Sequence, residues 1–211
     1  MAINPEAAAV PECRVETSDP LWQDIRAEAS ALVEREPALV ELTSEVVLKR
    51  VSLEEALSVR LSRKLHLHAT PVDYLKNTFC QIFKAHPGLG AQVRADIRAV
   101  QERDPACQSH LHVVLFYKGF LAITTHRIAH QLWNNNRREF ALYLQSLASE
   151  VFGVDIHPAA RFGSGIFLDH ATSFVAGETA EVADNVSILH EVTLGGTGKE
   201  RGDRHPKIGS G

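Results

Sequence analysis

The stretch that decides the fold runs from Gly153 to Leu194 and reads GVDIHPAARFGSGIFLDHATSFVAGETAEVADNVSILHEVTL. Every sixth position in this stretch is apolar, and six of these seven residues are bulky: Ile156, Phe162, Leu168, Phe174, Ala180, Val186 and Val192. An amphipathic helix would repeat every three and four residues, and a single strand every two. A period of six is typical of a parallel β-helix, in which three such repeats make one triangular coil. We therefore predict a left-handed parallel β-helix.

The six-residue register is interrupted after Leu194. Residues 195–203 are rich in glycine and polar side chains, which predicts a loop that leaves the coil, and Ile208 resumes the repeat. Only about two coils and a stub are then present. Because each unit of a repeat fold buries its face against the next one, an open end needs a cover. We expect the sequence as it stands to be shortened at its C-terminal end, unless a partner covers that end.

The residues before this segment have the pattern of helices joined by short connections. Asp19 followed by Pro20 is a helix start, and Ser52 with Glu55 forms a capping box. Helices are predicted at about 20–36, 38–49, 53–65, 71–85, 90–103, 111–135 and 137–151. Residues 1–18 are too acidic for a targeting peptide and are expected to be a flexible leader. The prediction is thus an α+β chain: a leader (1–18), a helical domain (19–152) that serves in oligomerisation, and a β-helix domain (153–211).

Composition limits the function classes. The 211 residues are 45% hydrophobic and 23% charged with a net charge of −4, which favours a globular protein and gives no reason to expect nucleic acid as a partner. No apolar run approaches the length that a membrane-spanning helix needs. The three cysteines, Cys13, Cys80 and Cys107, form no CxxC pair. We expect a reduced, cytoplasmic compartment, with Cys80 and Cys107 as core residues.

Two polar clusters in the repeat region could carry chemistry. Asp155 and His170 are separated by three residues less than one predicted coil, which brings them near each other on successive coils, and a carboxylate beside an imidazole supports a general base. A purely structural pair is the alternative. Residues 199–207 carry an excess of two positive charges. Arg204 in this segment could bind a carboxylate or simply be solvated. Backbone N–H groups of Gly195, Gly196, Thr197 and Gly198 could bind a phosphate or an oxyanion.

A metal site is a further alternative. His126 and His130 lie four residues apart on a predicted helix and could both face a metal, but no third ligand is evident. His157, His170, His190 and His205 could suggest a zinc enzyme of the γ-carbonic anhydrase kind, although their spacing does not require one. We predict no metal.

The same segments resemble the serine O-acetyltransferases, a family of hexapeptide-repeat acyltransferases. The active-site signature of that family is similar to residues 155–172, and the similarity continues through residues 177–180, 186–189, 192–199 and 202–208. In the helical part, it includes residues 19–22, 103–106, 117–120 and 127–133. Phe162, Phe167 and Phe174 stand where smaller aliphatic residues are usual, which suggests a tighter core.

The resemblance implies the transfer of an acetyl group from acetyl-CoA to L-serine, the first step of cysteine biosynthesis from serine. It implies His170 as general base and Asp155 as its orienting carboxylate, with direct attack and no covalent acyl-enzyme. Acetyl-CoA would be a co-substrate, and no cofactor would be bound permanently. The residues implied to bind serine are Asp104, Asp169, Glu178, Arg204 and His205, and those implied to bind acetyl-CoA are Gly195, Gly196 and Thr197.

The resemblance also implies a homotrimer or a dimer of trimers, with sites between adjacent β-helices, and inhibition by L-cysteine at the serine site. Members of the family continue for several further coils and a tail that docks into cysteine synthase. Since those parts are not in this sequence, we expect weak binding of acetyl-CoA and no docking. Two other functions stay open: acylation of another hydroxyl or amine, and a non-catalytic oligomerising or regulatory subunit.

Overall fold

A computed structural model describes residues 19–66, 70–199 and 201–211 of the chain. The predicted leader with Cys13, as well as His68 and Glu200, lies outside the described residues. Helices occupy the first part and short parallel strands the second, which confirms the predicted α+β class. The helices are α1 Pro20–Arg35, α2 Val40–Thr43, α3 Leu53–Leu65, α4 Val72–Ala85, α5 Gly88–Arg103, α6 His110–Phe116, α7 Lys118–Asn134 and α8 Arg138–Phe152.

The predicted helix starts have the expected caps. Oδ1 of Asp19 accepts a hydrogen bond from the Trp22 backbone N–H (3.3 Å), and Oγ of Ser52 accepts one from the Glu55 N–H (3.2 Å). The return bond of the capping box is displaced by one residue, because the Glu55 carboxylate accepts from Val51. The continuous helix predicted at 38–49 is wrong. It is a 3₁₀ turn (37–39), α2 and a π-helical turn (44–48) in succession.

The single helix predicted at 111–135 is also wrong, because the chain breaks at Tyr117 between α6 and α7. Tyr117 has an extended backbone (φ −79°, ψ 102°), and its phenol is hydrogen-bonded to Asp104. Two residues later, Gly119 lies against Leu168, where an added Cβ would overlap the Leu168 carbonyl oxygen. The pattern of apolar residues continues through the break, so periodicity alone could not reveal it.

The strands form three parallel sheets that are the faces of a β-helix. Their bounds are β1 Val154–Ile156, β2 Arg161–Phe162, β3 Phe167–Leu168, β4 Phe174–Ala176, β5 Glu181–Val182, β6 Ser187–Ile188, β7 Thr193–Leu194 and β8 Lys207–Ile208. Sheet A contains β1, β4 and β7, sheet B contains β2, β5 and β8, and sheet C contains β3 and β6. Each of the strands β1 to β5 thus pairs with the third one after it, as the predicted hexapeptide repeat requires.

The first coil is longer than three hexapeptides. In sheet A, Val154 pairs with Phe174, whereas one coil later Val175 pairs with Thr193, and the first offset exceeds the second by two residues. The pairings that begin at β2 and β3 have the same longer offset, so the two additional residues lie between β3 and β4. In that turn, His170, Ala171 and Ser173 have positive φ angles.

The predicted seven-member series therefore joins two different registers. Phe174, a member of the series, and Ala176, which pairs with the member Ile156, are both buried in the coil. Both registers thus point inward, and this explains why the series looked continuous in the sequence.

The predicted loop and the resumption of the repeat are both present. Val182 pairs with Ile208, so this coil is eight residues longer than the regular coil that joins Val175 to Thr193. The additional residues lie between β7 and β8, because the chain leaves the β-helix after Leu194 and returns to it at Lys207. The loop thereby carries Arg204 and His205 back to the coil.

A buried ion pair joins the helices to the first coil. Asp96 of α5 and Arg127 of α7 are bonded twice, at 2.9 and 3.0 Å, and both side chains are excluded from solvent. Arg127 also donates to the carbonyl oxygens of Phe162 and Gly163, and Asp96 accepts from the Ile166 N–H. These hydrogen bonds satisfy both charges, as burial requires. The helical part is thus bonded to the corner between sheets B and C.

Candidate active site

The candidate residues of the β-helix lie at two of its corners. We call the turn from sheet C to sheet A, residues 169–173 and 189–192, the base corner. We call the turn from sheet A to sheet B, residues 157–160, 177–180, 195–199 and 201–206, the arginine corner. Asp169 and His170 lie at the first corner. Glu178, Arg204 and His205 lie at the second, so a single chain does not bring all predicted site residues together.

A cleft of about 480 Å³ opens where the base corner faces α6 and α7. Asp104, Asp169 and His170 all line it, although Asp104 lies in the helical part of the chain, directly after α5. Tyr117 and Lys118 add further polar groups to the lining. Two carboxylates and an imidazole in one cleft can bind an ammonium group and accept a proton from a neighbouring hydroxyl.

Asp104 is held in place by two hydrogen bonds. Its Oδ1 accepts from the Ala106 N–H (2.8 Å), and its Oδ2 accepts from the phenol of Tyr117 (2.9 Å). Burial, followed by the hydrogen bond to Asp104, raises the pKa of Tyr117 far above its usual value. Tyr117 is therefore a donor throughout the physiological pH range. Tyr117 has no role predicted from the sequence, although it lies in a segment with family similarity.

His170 projects from the base corner of the β-helix. Its φ of 55° is unusual for a residue with a side chain, and the side chain is 75% exposed. The Nε2 atom lies 3.7 Å from Oδ1 of Asp169, and the ring lies edge-on to His190 at 6.0 Å between centroids. Nearby, Nζ of Lys118 donates to the hydroxyl of Thr172 at 2.5 Å. The imidazole is thus open to the cleft rather than packed into the core.

Asp155 has a different partner from the one the spacing predicts. Its position on β1 pairs with Val175, and its Oδ1 accepts a hydrogen bond of 2.6 Å from Nε2 of Gln145 on α8. In the described part of the chain, neither a hydrogen bond nor an ion pair joins Asp155 to His170. The prediction assumed a regular coil of three hexapeptides, whereas this coil contains two additional residues.

The arginine corner has a dense network of hydrogen bonds. Arg204 is paired with Glu178 at 2.9 Å, and this bond lowers the pKa of Glu178. Oγ1 of Thr179 accepts from the backbone N–H groups of Arg204 (3.1 Å) and His205 (3.2 Å). Nδ1 of His205 accepts from the Thr179 N–H (3.2 Å). An added Cβ on Gly177 would overlap the His205 ring, so this position requires glycine.

His157 joins the same corner. Its Nδ1 accepts from the Ala159 N–H at 3.1 Å, and its ring lies edge-on to Trp133 with centroids 5.0 Å apart. Burial, opposed by Glu178 and Asp155, lowers the pKa of His157. From the sequence alone, His157 is a candidate only for a zinc ligand. Its place in the signature beside Asp155 is the signal that could have assigned it to the arginine corner.

The two histidines on α7 have structural surroundings. His126 is buried with its ring edge-on to Phe162, 5.0 Å between centroids, and burial holds its pKa well below the usual value. His130 bonds to the carbonyl of Pro158 at 2.7 Å through Nδ1. In residues 19–66, 70–199 and 201–211, no group of three His, Cys, Asp or Glu side chains is placed to hold a metal ion.

The remaining predictions concern exposed or half-buried positions. Gly195, Gly196 and Thr197 lie exposed at the start of the long loop. Cys80 and Cys107 are half-buried, and Cys107 packs against the core from its edge. No helix within the described ranges is both long and apolar enough to cross a membrane.

Comparison with known proteins agrees with this architecture. Residues 21–125 match the family model described as "Serine acetyltransferase, N-terminal". The chain is 53% identical over 210 residues to a probable serine acetyltransferase 4 of rice, a match that covers 99% of this chain and 67% of the rice protein. The chain thus spans about two thirds of that relative.

Two solved structures extend the match to the fold. A serine acetyltransferase from Brucella abortus, solved in complex with coenzyme A, has a TM-score of 0.90 and 52% identity, covering 92% of this chain and 78% of its own. Soybean serine acetyltransferase complexed with serine has a TM-score of 0.88 and 52% identity, covering 90% and 79%. The helices, the interrupted hexapeptide β-helix and these matches lead to one conclusion: the chain belongs to the serine acetyltransferase family.

Proposed function

We propose that this protein transfers the acetyl group of acetyl-CoA to the hydroxyl of L-serine. The observation that carries the proposal is the cleft in which Asp104, Asp169 and His170 converge. Two acidic side chains suit the serine ammonium, and the open imidazole of His170 suits its hydroxyl. The relatives whose structures contain serine or coenzyme A support the two substrates.

The reaction would proceed by direct attack. His170 accepts the hydroxyl proton as the serine oxygen attacks the thioester carbonyl, and Asp155 orients the imidazole and supports its protonated form. The tetrahedral intermediate then collapses, the C–S bond breaks, and the proton passes to the departing CoA sulfur. Backbone N–H groups of Gly195, Gly196 and Thr197 would bind acetyl-CoA. No covalent acyl-enzyme is required.

We further propose that the complete site lies between neighbouring chains of a homotrimer, or of a dimer of such trimers. The base corner and the arginine corner are different turns of one β-helix. In a closed three-fold ring, two different surfaces of the chain meet at every interface. Such a ring would place Arg204 and His205 of one chain across from His170 of the next, with the guanidinium on the serine carboxylate and Glu178 beside it.

The proposal extends to inhibition by L-cysteine and to the compartment in which the protein acts. L-Cysteine differs from L-serine by a sulfur in place of an oxygen, so it would occupy the serine site and inhibit. The place of action would be the cytoplasm, in keeping with the few and widely spaced cysteines.

The test is the release of free thiol from acetyl-CoA, with and without L-serine, by the wild type and by His170→Ala. Serine-dependent release by the wild type that is lost in His170→Ala is the expected result. His190→Ala is the matched control, since it removes an exposed imidazole from the same corner. Release with other acceptors but not with serine would overturn serine as the substrate. No release from a folded chain would instead favour a non-catalytic subunit.

A further inference from the structure

The hydrogen bond between Gln145 and Asp155 crosses the boundary between the helices and the β-helix. Gln145 lies on α8, which ends at Phe152, and Asp155 is the second residue of β1. Gly153, with a φ of 67°, turns the chain between the two elements. The amide Nε2 of Gln145 donates to Oδ1 of Asp155 at 2.6 Å. The side chain of the last helix therefore reaches the first strand.

The surroundings of Gln145 restrict its side chain. Gln145 lines a small cavity of about 10 Å³ with apolar residues, among them Leu144, Ala148, Val154 and Ile156, and with Thr125 and His126. The Thr125 hydroxyl donates to the Leu121 carbonyl, and the amide donor of Gln145 is directed toward the carboxylate of Asp155. The strand and the helix that carry the two residues pack against each other, and the bond fixes the rotamer of Asp155 as well.

The bond occupies only one of the two carboxylate oxygens. An ionised carboxylate accepts hydrogen bonds at both oxygens, and Oδ2 of Asp155 has no hydrogen-bond partner within the described residues. The ring of His170 is 75% exposed, and packing does not prevent it from turning. Catalytic hydrogen bonds are often long or poorly aligned before substrate binds. An orienting carboxylate needs one oxygen that is held by the protein and one that is available for the imidazole. In Asp155, Gln145 holds the first of these oxygens.

We propose that Gln145 is a positioning residue for the acetyl transfer: it holds the Asp155 carboxylate so that the second oxygen can receive the His170 ring. This inference rests on the proposed function. Gln145 does not touch substrate in this role and acts only through Asp155. Its contribution should therefore appear in the turnover step and not in the binding of serine or acetyl-CoA.

The experiment compares the wild type, Gln145→Met, Asp155→Asn and the double variant in steady-state acetyl transfer. Methionine keeps the length of the side chain and suits the mostly apolar cavity, but it cannot donate a hydrogen bond. We expect kcat to fall about ten-fold in Gln145→Met with both KM values within about two-fold of the wild type, since misplacement of a reacting group costs up to about 100-fold. In the Asp155→Asn background, Gln145→Met should produce no further loss, because the two residues act as one unit. Gln131→Met is the matched control, a half-buried glutamine on α7 outside the cleft, and should keep its kcat.

The possible failures are distinguishable. An unchanged kcat in Gln145→Met would overturn the positioning role while leaving the proposed function intact. So would a fall in kcat on Gln145→Met that is equally large in the wild-type and Asp155→Asn backgrounds. A fall in kcat matched by a fall in thermal midpoint would also overturn it, as that indicates damage to the fold alone. No serine-dependent release by the wild type would overturn the proposed function, and the positioning role with it.

Discussion

The phenol of Tyr117 donates a hydrogen bond of 2.9 Å to Oδ2 of Asp104. The bond joins the break between α6 and α7 to a carboxylate at the wall of the cleft. It connects the irregular backbone at Tyr117 to the proposed serine site. The break is therefore a feature of the site as well as of the fold.

Replacing Tyr117 by phenylalanine removes this donor and the interaction of the phenol with Cys107. A hydrogen bond to a charged group contributes about 1.5 kcal/mol or more, so we expect the KM for serine to rise about ten-fold with kcat nearly unchanged. Steady-state kinetics at varied serine measure it. Tyr143→Phe is the control, because it removes a phenol that bonds to Thr70, away from the cleft. Equal effects of the two substitutions would contradict a role for Tyr117 in serine binding.

The proposed trimer predicts complementation between inactive variants. His170→Ala and Arg204→Ala each remove one half of the proposed site, and both should be inactive alone. After the two are unfolded together and refolded as a mixture, random assembly gives an intact base corner opposite an intact arginine corner at about one site in four. Activity near a quarter of the wild type is the expected measurement. If refolded mixtures stay as inactive as the separate variants, the site is not shared between chains.

Gly119 is predicted to be intolerant of any side chain. A methyl group there would overlap the Leu168 carbonyl, so α7 would have to move away from β3. We expect Gly119→Ala to lower the free energy of unfolding by about 2 kcal/mol or more, the range for an overpacked site, in urea titrations. Gly88→Ala is the matched control, since a methyl group at this first residue of α5 meets no other atom within 4 Å. A Gly119→Ala protein as stable as Gly88→Ala would refute the close packing.

His126 predicts a loss of stability in acid. Burial keeps its folded-state pKa well below the usual value, so the unfolded chain binds the proton more readily, and stability falls as the pH drops below about 6.5. Between about pH 8 and about pH 5.5, this group alone should cost about 1.4 kcal/mol, provided that its folded pKa lies well below that range. In urea titrations at the two pH values, the free energy of unfolding should therefore fall by about 1.4 kcal/mol less in His126→Leu than in the wild type. Identical losses would show that His126 does not titrate on unfolding.

Several features could be predicted from the sequence because they depend on neighbours in the chain. The six-residue period comes from one inward side chain per face, and it determined the β-helix. The loop after Leu194 and the return at Ile208 followed from glycine content and register, and the caps at Asp19 and Ser52 from side chains that reach three residues ahead. These contacts repeat at fixed short intervals, so a sequence pattern records them directly.

Other features depended on contacts that no local pattern records. Two residues are inserted at the base corner, and residues two apart on a strand point to the same side. An apolar residue therefore still occurs at every sixth position, and the insertion does not show in the sequence pattern. The break at Tyr117 and the meeting of Asp104 with His170 arise where helices pack on the coil. The sequence by itself therefore determined the repeat, its interruption and the chemical types of the site residues. The tertiary structure alone decided which of them share a cleft, and that Asp155 is held by Gln145, since such contacts depend on packing between distant segments.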